Sequence, residues 1–483
     1  MSYAIDPAMI AELQTMRSGY QVLNGDGGAG QSAAARWLTG FAALRNDQDG
    51  FRLLYGSPDI AALVHGKQRG ALAAAAAAGT TVEATRPLPL LILPADGAAD
   101  QATVDAAEDL DPAAVLLADS SARTGYPLLA GPGVAPIVSY GSTAFGGGPG
   151  PDPRETPVHL QQRLLADTWV QASTAAPGST LGRVRLITSA AQATGDGAGV
   201  AAPWIRRSTL SELIRSRPTT WDQNFRYPPA ARAAELTARQ ISALRRFSLS
   251  QRTYADLLAD AAGVESEANT AVARAASAGW RGQDGARAAW LSPQQAELDD
   301  IVTNQVEIRS TRRVSTVAQQ GVVFPITIRN LLPRSDTDPG RNTVKVRVEF
   351  ISDNPQRLSI RPIRLTEILA ADNVAGVAEV VAKANGTVPV TAQLLTESGL
   401  EVGRPVTIDV KVTQNGTTGW AIAVAAGAAF FGFTFLRVRQ VARERSLAAE
   451  TSASSGPVDA LTSAPPADAG AGRAADSRDR FDA

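Results

Sequence analysis

The chain has no cysteine and only two histidines, His65 and His159, in 483 residues. The first absence excludes disulfides, thiol nucleophiles and Cys-ligated zinc or iron–sulfur centres. The second removes multi-histidine metal sites, including the Asp plus two His set of deacetylase-type barrels, so no metal and no cofactor are expected. No sign of charge dominates: Lys and Arg number 46 against 47 Asp and Glu, which leaves no electrostatic footprint for nucleic acid. The opening MSYAIDPAMIAELQTM has neither the basic start nor the apolar stretch of a secretory leader. Long apolar runs are lacking too, with one exception.

That exception is 419–436, GWAIAVAAGAAFFGFTFL, which holds no charged residue for 18 positions. At about 1.5 Å per residue it would span roughly 27 Å as a helix, close to the hydrocarbon thickness of a bilayer. Arg437, Arg439, Arg443 and Arg445 follow it, while VTQNGTTG before it carries no cation. The pattern predicts one C-terminal transmembrane helix in a single-pass cell-membrane protein. The positive-inside rule puts the tail in the cytoplasm and the bulk of the chain outside, and the arginines also suit anionic lipid. A large outer region without a leader implies a true start upstream of Met1, because the chain opens directly in a strand.

Elsewhere, apolar runs at 3–5, 51–55, 88–93, 113–118, 136–139 and 184–188 read as strands. Between them, 32–44, 60–78, 101–108 and 158–175 have helical patterning. The alternation predicts a multidomain α/β plus β chain whose residues 1–227 form a partial (β/α) barrel-like domain. The Gly- and Pro-rich 131–153 reads as a long irregular loop, a common place for function. Residues 228–304 are rich in helix formers with solvated Arg, Glu and Asp faces, a helical segment that packs on the α/β part or extends as a stalk. In 305–413 the period changes to two: NTVKVRVEF alternates Val344, Val346, Val348 and Phe350 with polar residues. TVPVTAQLL and RPVTIDVKV flank TESGLEVG as a hairpin. An Ig-like β-sandwich without the Cys–Trp–Cys core follows. The Ala-, Ser- and Pro-rich tail within 437–483 lacks the apolar content to offset chain entropy.

The segments YAIDPAMIAELQTM, AAARWLTGF, LLYGSPDIAAL and, above all, NGTVPVTAQLLTESGLEVGRPVTIDVKV running into 419–436 resemble one family. It is the actinobacterial envelope protein family known as domain of unknown function 6049 (DUF6049), and the likeness extends from Met1 to about Arg445. The resemblance implies a secreted single-span protein. Because genes of the family tend to lie near that of the lipid II flippase, it also implies a part in cell-wall assembly, with peptidoglycan or lipid-linked precursor machinery as partners. It assigns no catalytic residue. The family's leader and N-terminal region have no counterpart here, which implies a chain truncated at its N-terminus.

In parallel α/β architectures ligands bind beyond the carboxyl ends of the strands. The residues at or just after those ends are Asp6, Tyr55, Asp96, Asp119, Tyr140 and Ser189. Asp6, Asp96 and Asp119 are the catalytic candidates, since paired carboxylates can serve as acid and base on a glycosidic bond. Tyr55, Tyr140, Trp204 and Trp221 are candidates for stacking on sugar rings. The competing reading gives Asp6 before Pro7 and Asp59 after Pro58 as helix caps, and Asp96 and Asp119 as turn residues. FGGGPGP lacks the Lys-Ser/Thr of a phosphate loop, and Ser139 and Ser189 lack the Gly-x-Ser-x-Gly elbow. The favoured function is a non-catalytic scaffold or glycan-binding factor in cell-wall assembly. The alternative is a carbohydrate-active hydrolase.

Overall fold

The computed structural model describes residues 1–413 apart from 23–26, 123–125, 132, 134, 142–155, 175–181, 183, 198–201, 222–224, 318–321, 336–337 and 339. The chain divides into two units, Met1–Val412 and Thr413–Ala483. Apart from Thr413, the second unit lies outside the described residues, as does most of the Gly/Pro-rich loop.

The first unit opens with strand β1 (Ser2–Ile5) parallel to β2 (Asp49–Arg52). A parallel bridge from Arg52 to Leu90 leads to β3 (Leu91–Ile92), which pairs in parallel with β4 (Ala114–Ala118). Strand β5 (Leu128–Ala130) precedes β6 (Ile137–Tyr140) in the chain; β6 lies parallel to β4, and β5 runs antiparallel to β6. The short β7 (Thr219–Thr220) completes the sheet beside β5. The result is a half-barrel that stays open. Alternation explains how each face is covered: Val115, Leu117 and Ile137 join the larger core, whereas Ala114, Leu116, Val138 and Tyr140 join a smaller one. Leu210, Leu213 and Ile214, from the helix Leu210–Ile214, pack against that second face. The helix is held by Leu210 N–H donating to Ser2 Oγ (2.6 Å) and Ser211 N–H donating to Asp49 Oδ2 (3.1 Å).

Residues 229–304 are not a stalk. The helices Ala238–Leu257, Ala262–Ala275 and Asp284–Asn304 contribute Ile241, Leu244, Phe247, Val272, Leu291 and Leu298 to the same core as Ile10, Leu63, Leu72 and Leu117. Arg287, only 2% exposed, donates Nε and Nη2 to the carbonyl of Ala275, so a buried guanidinium caps the C-terminus of the second helix.

Nine strands follow: β8 (Val306–Arg309), β9 (Arg313–Val317), β10 (Val322–Asn330), β11 (Val344–Ser352), β12 (Leu358–Ile360), β13 (Ile363–Ile368), β14 (Asp372–Ala382), β15 (Gly386–Leu395) and β16 (Glu401–Thr413). They form two sheets, β12-β14-β10-β8 and β13-β11-β15-β16-β9, an Ig-like sandwich. Val344, Val346, Val348 and Phe350 point inward, and Phe350 meets Phe324 edge-on at 5.9 Å. The preceding helix enters this second core directly, because Leu257 and Leu258 are members of it. Ala259 N–H donates to the Thr343 carbonyl (2.8 Å), and Asp256 Oδ2 accepts Ser398 N–H (3.0 Å). Burial opposes the Asp256 charge, but the Ser398 and Thr396 groups outweigh it and hold this carboxyl below its usual range.

Two expectations need correction. The fold class anticipated a C-terminal transmembrane helix. Among the described residues no helix is long and apolar enough to cross a membrane. The two longest, Ala238–Leu257 and Asp284–Asn304, carry Arg, Asp and Glu on their exposed faces. The run 419–436 and Arg437, Arg439, Arg443 and Arg445 lie outside the described residues. The second correction concerns the helix read over 60–78. It is two helices, Ile60–His65 and Arg69–Thr81, because Gly66 caps the first and Lys67 turns to φ 56°.

Truncating Leu258, 3% exposed where two parts of the unit meet, should cost about 2–5 kcal/mol for Leu258→Ala. Denaturant unfolding measures it; a change well below 1 kcal/mol would mean that the helix end does not belong to the sandwich core.

Candidate functional site

Tyr55 and Asp59 follow β2, Asp96 follows β3, Asp119 follows β4, and Tyr140 is the last residue of β6. The turn after β3 is tight: Asp96 and Gly97 both adopt left-handed backbone (φ 58° and 64°). A side chain at Gly97 would lie 2.3 Å from the Tyr140 hydroxyl and 2.6 Å from Ala118 N, so only glycine fits.

Arg281, from the helical segment, binds this rim. Its Nε and Nη2 donate to the two oxygens of Asp59 at 2.7 and 2.6 Å, and its Nη1 donates to Asp96 Oδ2 at 2.9 Å. Asp59 is fully buried, whereas the Asp96 side chain is 71% exposed. Asp59 also caps the helix Ile60–His65 and accepts Leu236 N–H at 3.0 Å. Burial works against the Arg281 charge, but Asp59 more than restores it, and the guanidinium pKa ends above its ordinary value.

Beside this pair, His65 lies between two carboxylates. Its Nε2 is 2.9 Å from Asp100 Oδ2, its Nδ1 is 2.9 Å from Glu235 Oε1, and Arg232 Nη1 approaches Nδ1 at 2.6 Å. The Tyr227 ring meets the imidazole edge-on at 5.5 Å. Burial first, then Glu235, push the Tyr227 phenol far above its usual pKa. Burial opposes the Asp100 charge, but the Thr103 hydroxyl and His65 hold this carboxyl below its usual range. The network joins Ile60–His65, the start of the helix Gln101–Glu108 and the segment around Glu235, so its chemistry is that of a clamp. Among the described residues no group of three His, Asp or Glu could hold a metal ion.

Of the carboxylates read from the sequence, Asp96 and Asp119 both act on Tyr140 through their charge: burial first and then the two carboxylates push the phenol up to about 12. Asp119 begins the short helix Asp119–Ala122. Asp6 is committed elsewhere: Oδ1 accepts Ala8 N–H (2.8 Å) and Gly56 N–H (2.9 Å), and Oδ2 accepts the Ser57 hydroxyl (2.9 Å). Tyr55 and Tyr140 are buried at 2% and 7% exposure, and Trp221 stacks on Phe225 at 5.8 Å. Trp204 alone among the four aromatics is well exposed. It meets the exposed Trp169 edge-on at 4.9 Å, while its Nε1 donates to Thr168 Oγ1 (3.2 Å).

Sequence reasoning did not single out Arg281, His65, Glu235 or Trp169 as site residues. Asp59 did carry a signal, Pro-Asp before an apolar run, which marks a cap. Arg281 carried none, because its partner lies 222 residues away in the chain.

A family model described as a family of unknown function, DUF6049, matches residues 159–467. No curated protein matches the sequence. Among solved structures, the chain is similar to WR4, a C. elegans MSP family member, at 8% identity and a TM-score of 0.17, over 23% of this chain and 98% of that one. It is similar to the YadV chaperone at 12% and 0.16, over 24% and 54%. It is also similar to fibronectin(III)-like modules of Clostridium thermocellum CbhA at 15% and 0.13, over 23% and 97%. Scores this low carry no argument about function.

The buried and exposed arms of the Arg281 cluster should differ in weight. Asp59→Asn leaves a buried guanidinium short of its counter-charge and should cost about 3–5 kcal/mol, whereas Asp96→Asn should cost about 0–1 kcal/mol. Chemical denaturation of both variants decides it; equal losses would contradict the assignment.

Proposed function

The chain belongs to the DUF6049 family of unknown function, and on that premise we propose that it is a non-catalytic, glycan-binding scaffold that serves cell-wall assembly. The observation that carries the reading is the engagement of the rim carboxylates. A glycoside hydrolase needs two carboxyl groups flanking an open bond-cleaving cleft, one protonated and one ionised. Here Asp6 accepts three hydrogen bonds from its own fold, and Asp96 is paired with Arg281, as is its neighbour Asp59. These bonds make the carboxylates structurally occupied groups rather than a free pair flanking a cleft.

Glycan binding rests on the Trp169–Trp204 pair. Two exposed indoles in contact leave broad apolar faces open to solvent, the surface on which the C–H face of a pyranose packs. With its Nε1 bonded to Thr168, the Trp204 ring is fixed before any ligand arrives, which lowers the entropy lost on binding. Arg437, Arg439, Arg443 and Arg445 are the groups such a scaffold would offer to anionic lipid.

The protein should sediment with purified cell-wall glycan without releasing soluble sugar. Trp204→Ala should weaken that binding about tenfold, equivalent to about 1.4 kcal/mol, while Asp119→Asn should leave it unchanged. Release of reducing sugar by the parent protein, abolished in Asp96→Asn or Asp119→Asn, would overturn the proposal in favour of a hydrolase.

A further inference from the structure

A second site lies on the helical segment. The helices Ala262–Ala275 and Asp284–Asn304 flank a cleft of about 290 Å³ lined by Ser266, Glu267, Thr270, Arg274, Trp290 and Gln294. We propose that this cleft binds an acidic monosaccharide, a pyranose bearing a carboxylate. The choice of a sugar acid rests on the glycan-binding reading above, though at a different site.

The argument begins with Arg274. Its Nε is buried and has no hydrogen-bond partner, an unfavourable state for a buried donor. Its Nη2 reaches Glu12 only at 3.6 Å, between side chains 42% and 63% exposed, a weak, solvent-screened pairing. Tyr55 engages the guanidinium as well, but the unpartnered Nε beside the loosely held Nη2 leaves capacity for a carboxylate, its best geometric match. On the other helix stands Trp290, stacked on Trp280 at 5.7 Å and 27°. Trp280 is itself anchored, its Nε1 donating to the Arg274 carbonyl at 2.8 Å. One residue thus supplies the cation and, through its backbone, braces the aromatic wall. Gln294 is oriented by donating Nε2 to the Trp290 carbonyl (2.8 Å), which leaves its side-chain oxygen to accept.

Apolar face, cation and hydroxyl-binding groups match the parts of a sugar acid. Trp290 takes the ring face, Arg274 the carboxylate, and Glu267, Ser266, Thr270 and Gln294 the ring hydroxyls. Size points the same way, since drug-sized ligands occupy pockets of roughly 300–1,000 Å³ and this cleft, at about 290 Å³, falls just below that range. A single ring fits; an extended chain does not.

Calorimetric titration of the full chain with glucuronate, glucose and benzoate tests it. Glucuronate should bind, with glucose and benzoate each at least about tenfold weaker. Glu267→Gln, at an exposed position, should weaken glucuronate about tenfold without altering thermal unfolding. Arg274→Gln should abolish the preference for glucuronate over glucose. Absence of glucuronate binding, equal affinity for benzoate, or indifference to Glu267→Gln would each overturn the proposal. Trp204→Ala separates this site from the glycan surface: it should leave glucuronate binding intact, and a loss in that variant would assign the sugar acid to the Trp169–Trp204 pair instead.

Discussion

The fully buried Asp59 carboxylate and the guanidinium of Arg281 tie the half-barrel to the helical segment. Desolvating two ions costs several kcal/mol each, and only close geometry offsets this. The geometry is bidentate at 2.6 and 2.7 Å, and the remaining capacity of the carboxylate is filled by Leu236 N–H and the helix it caps. Asp59 N–H also donates to the Ala276 carbonyl, so one residue ties three stretches of the helical segment to the turn after β2. Without that tie, the sheet face carrying Val115, Leu117 and Ile137 would lose part of its cover.

An arginine paired with both Asp59 and Asp96 occupies the strand ends, where a parallel sheet ordinarily keeps its reactive groups. The rim becomes a joint, and the surfaces proposed above for ligands lie elsewhere: the Trp169–Trp204 pair and the cleft between Arg274 and Trp290. The two cores are continuous through one helix: Ala238–Leu257 sends Leu244 and Phe247 into one core and Leu257 into the other, a continuity that suits the proposed scaffold.

Much of this was legible in the sequence where it depends on local periodicity. The alternation from Val344 to Phe350 was readable because a strand with one buried face must alternate. Asp6 and Asp59 were readable as caps because the Asp-Pro and Pro-Asp contexts leave few other roles. The site was legible only in part. The strand-end rule located Asp96, Asp119 and Tyr140, but exposure depends on what packs above them, and Tyr55 and Tyr140 proved to be core. Arg281 and Glu235 read as solvated charges on helical segments, because nothing local encodes a partner far away in the chain. The membrane helix over 419–436 was argued from composition and flanking charge, and no described helix has that character.

Native-state hydrogen exchange tests the central claim most directly, that half-barrel and helical segment are one cooperative unit closed by Asp59 and Arg281. Amides of β4, β6 and the helices Ile60–His65 and Ala238–Leu257 should exchange only through a shared opening of equal free energy. Exchange of Ala238–Leu257 at a markedly lower free energy, with β4 and β6 still protected, would show an appendage that opens by itself and would contradict the account.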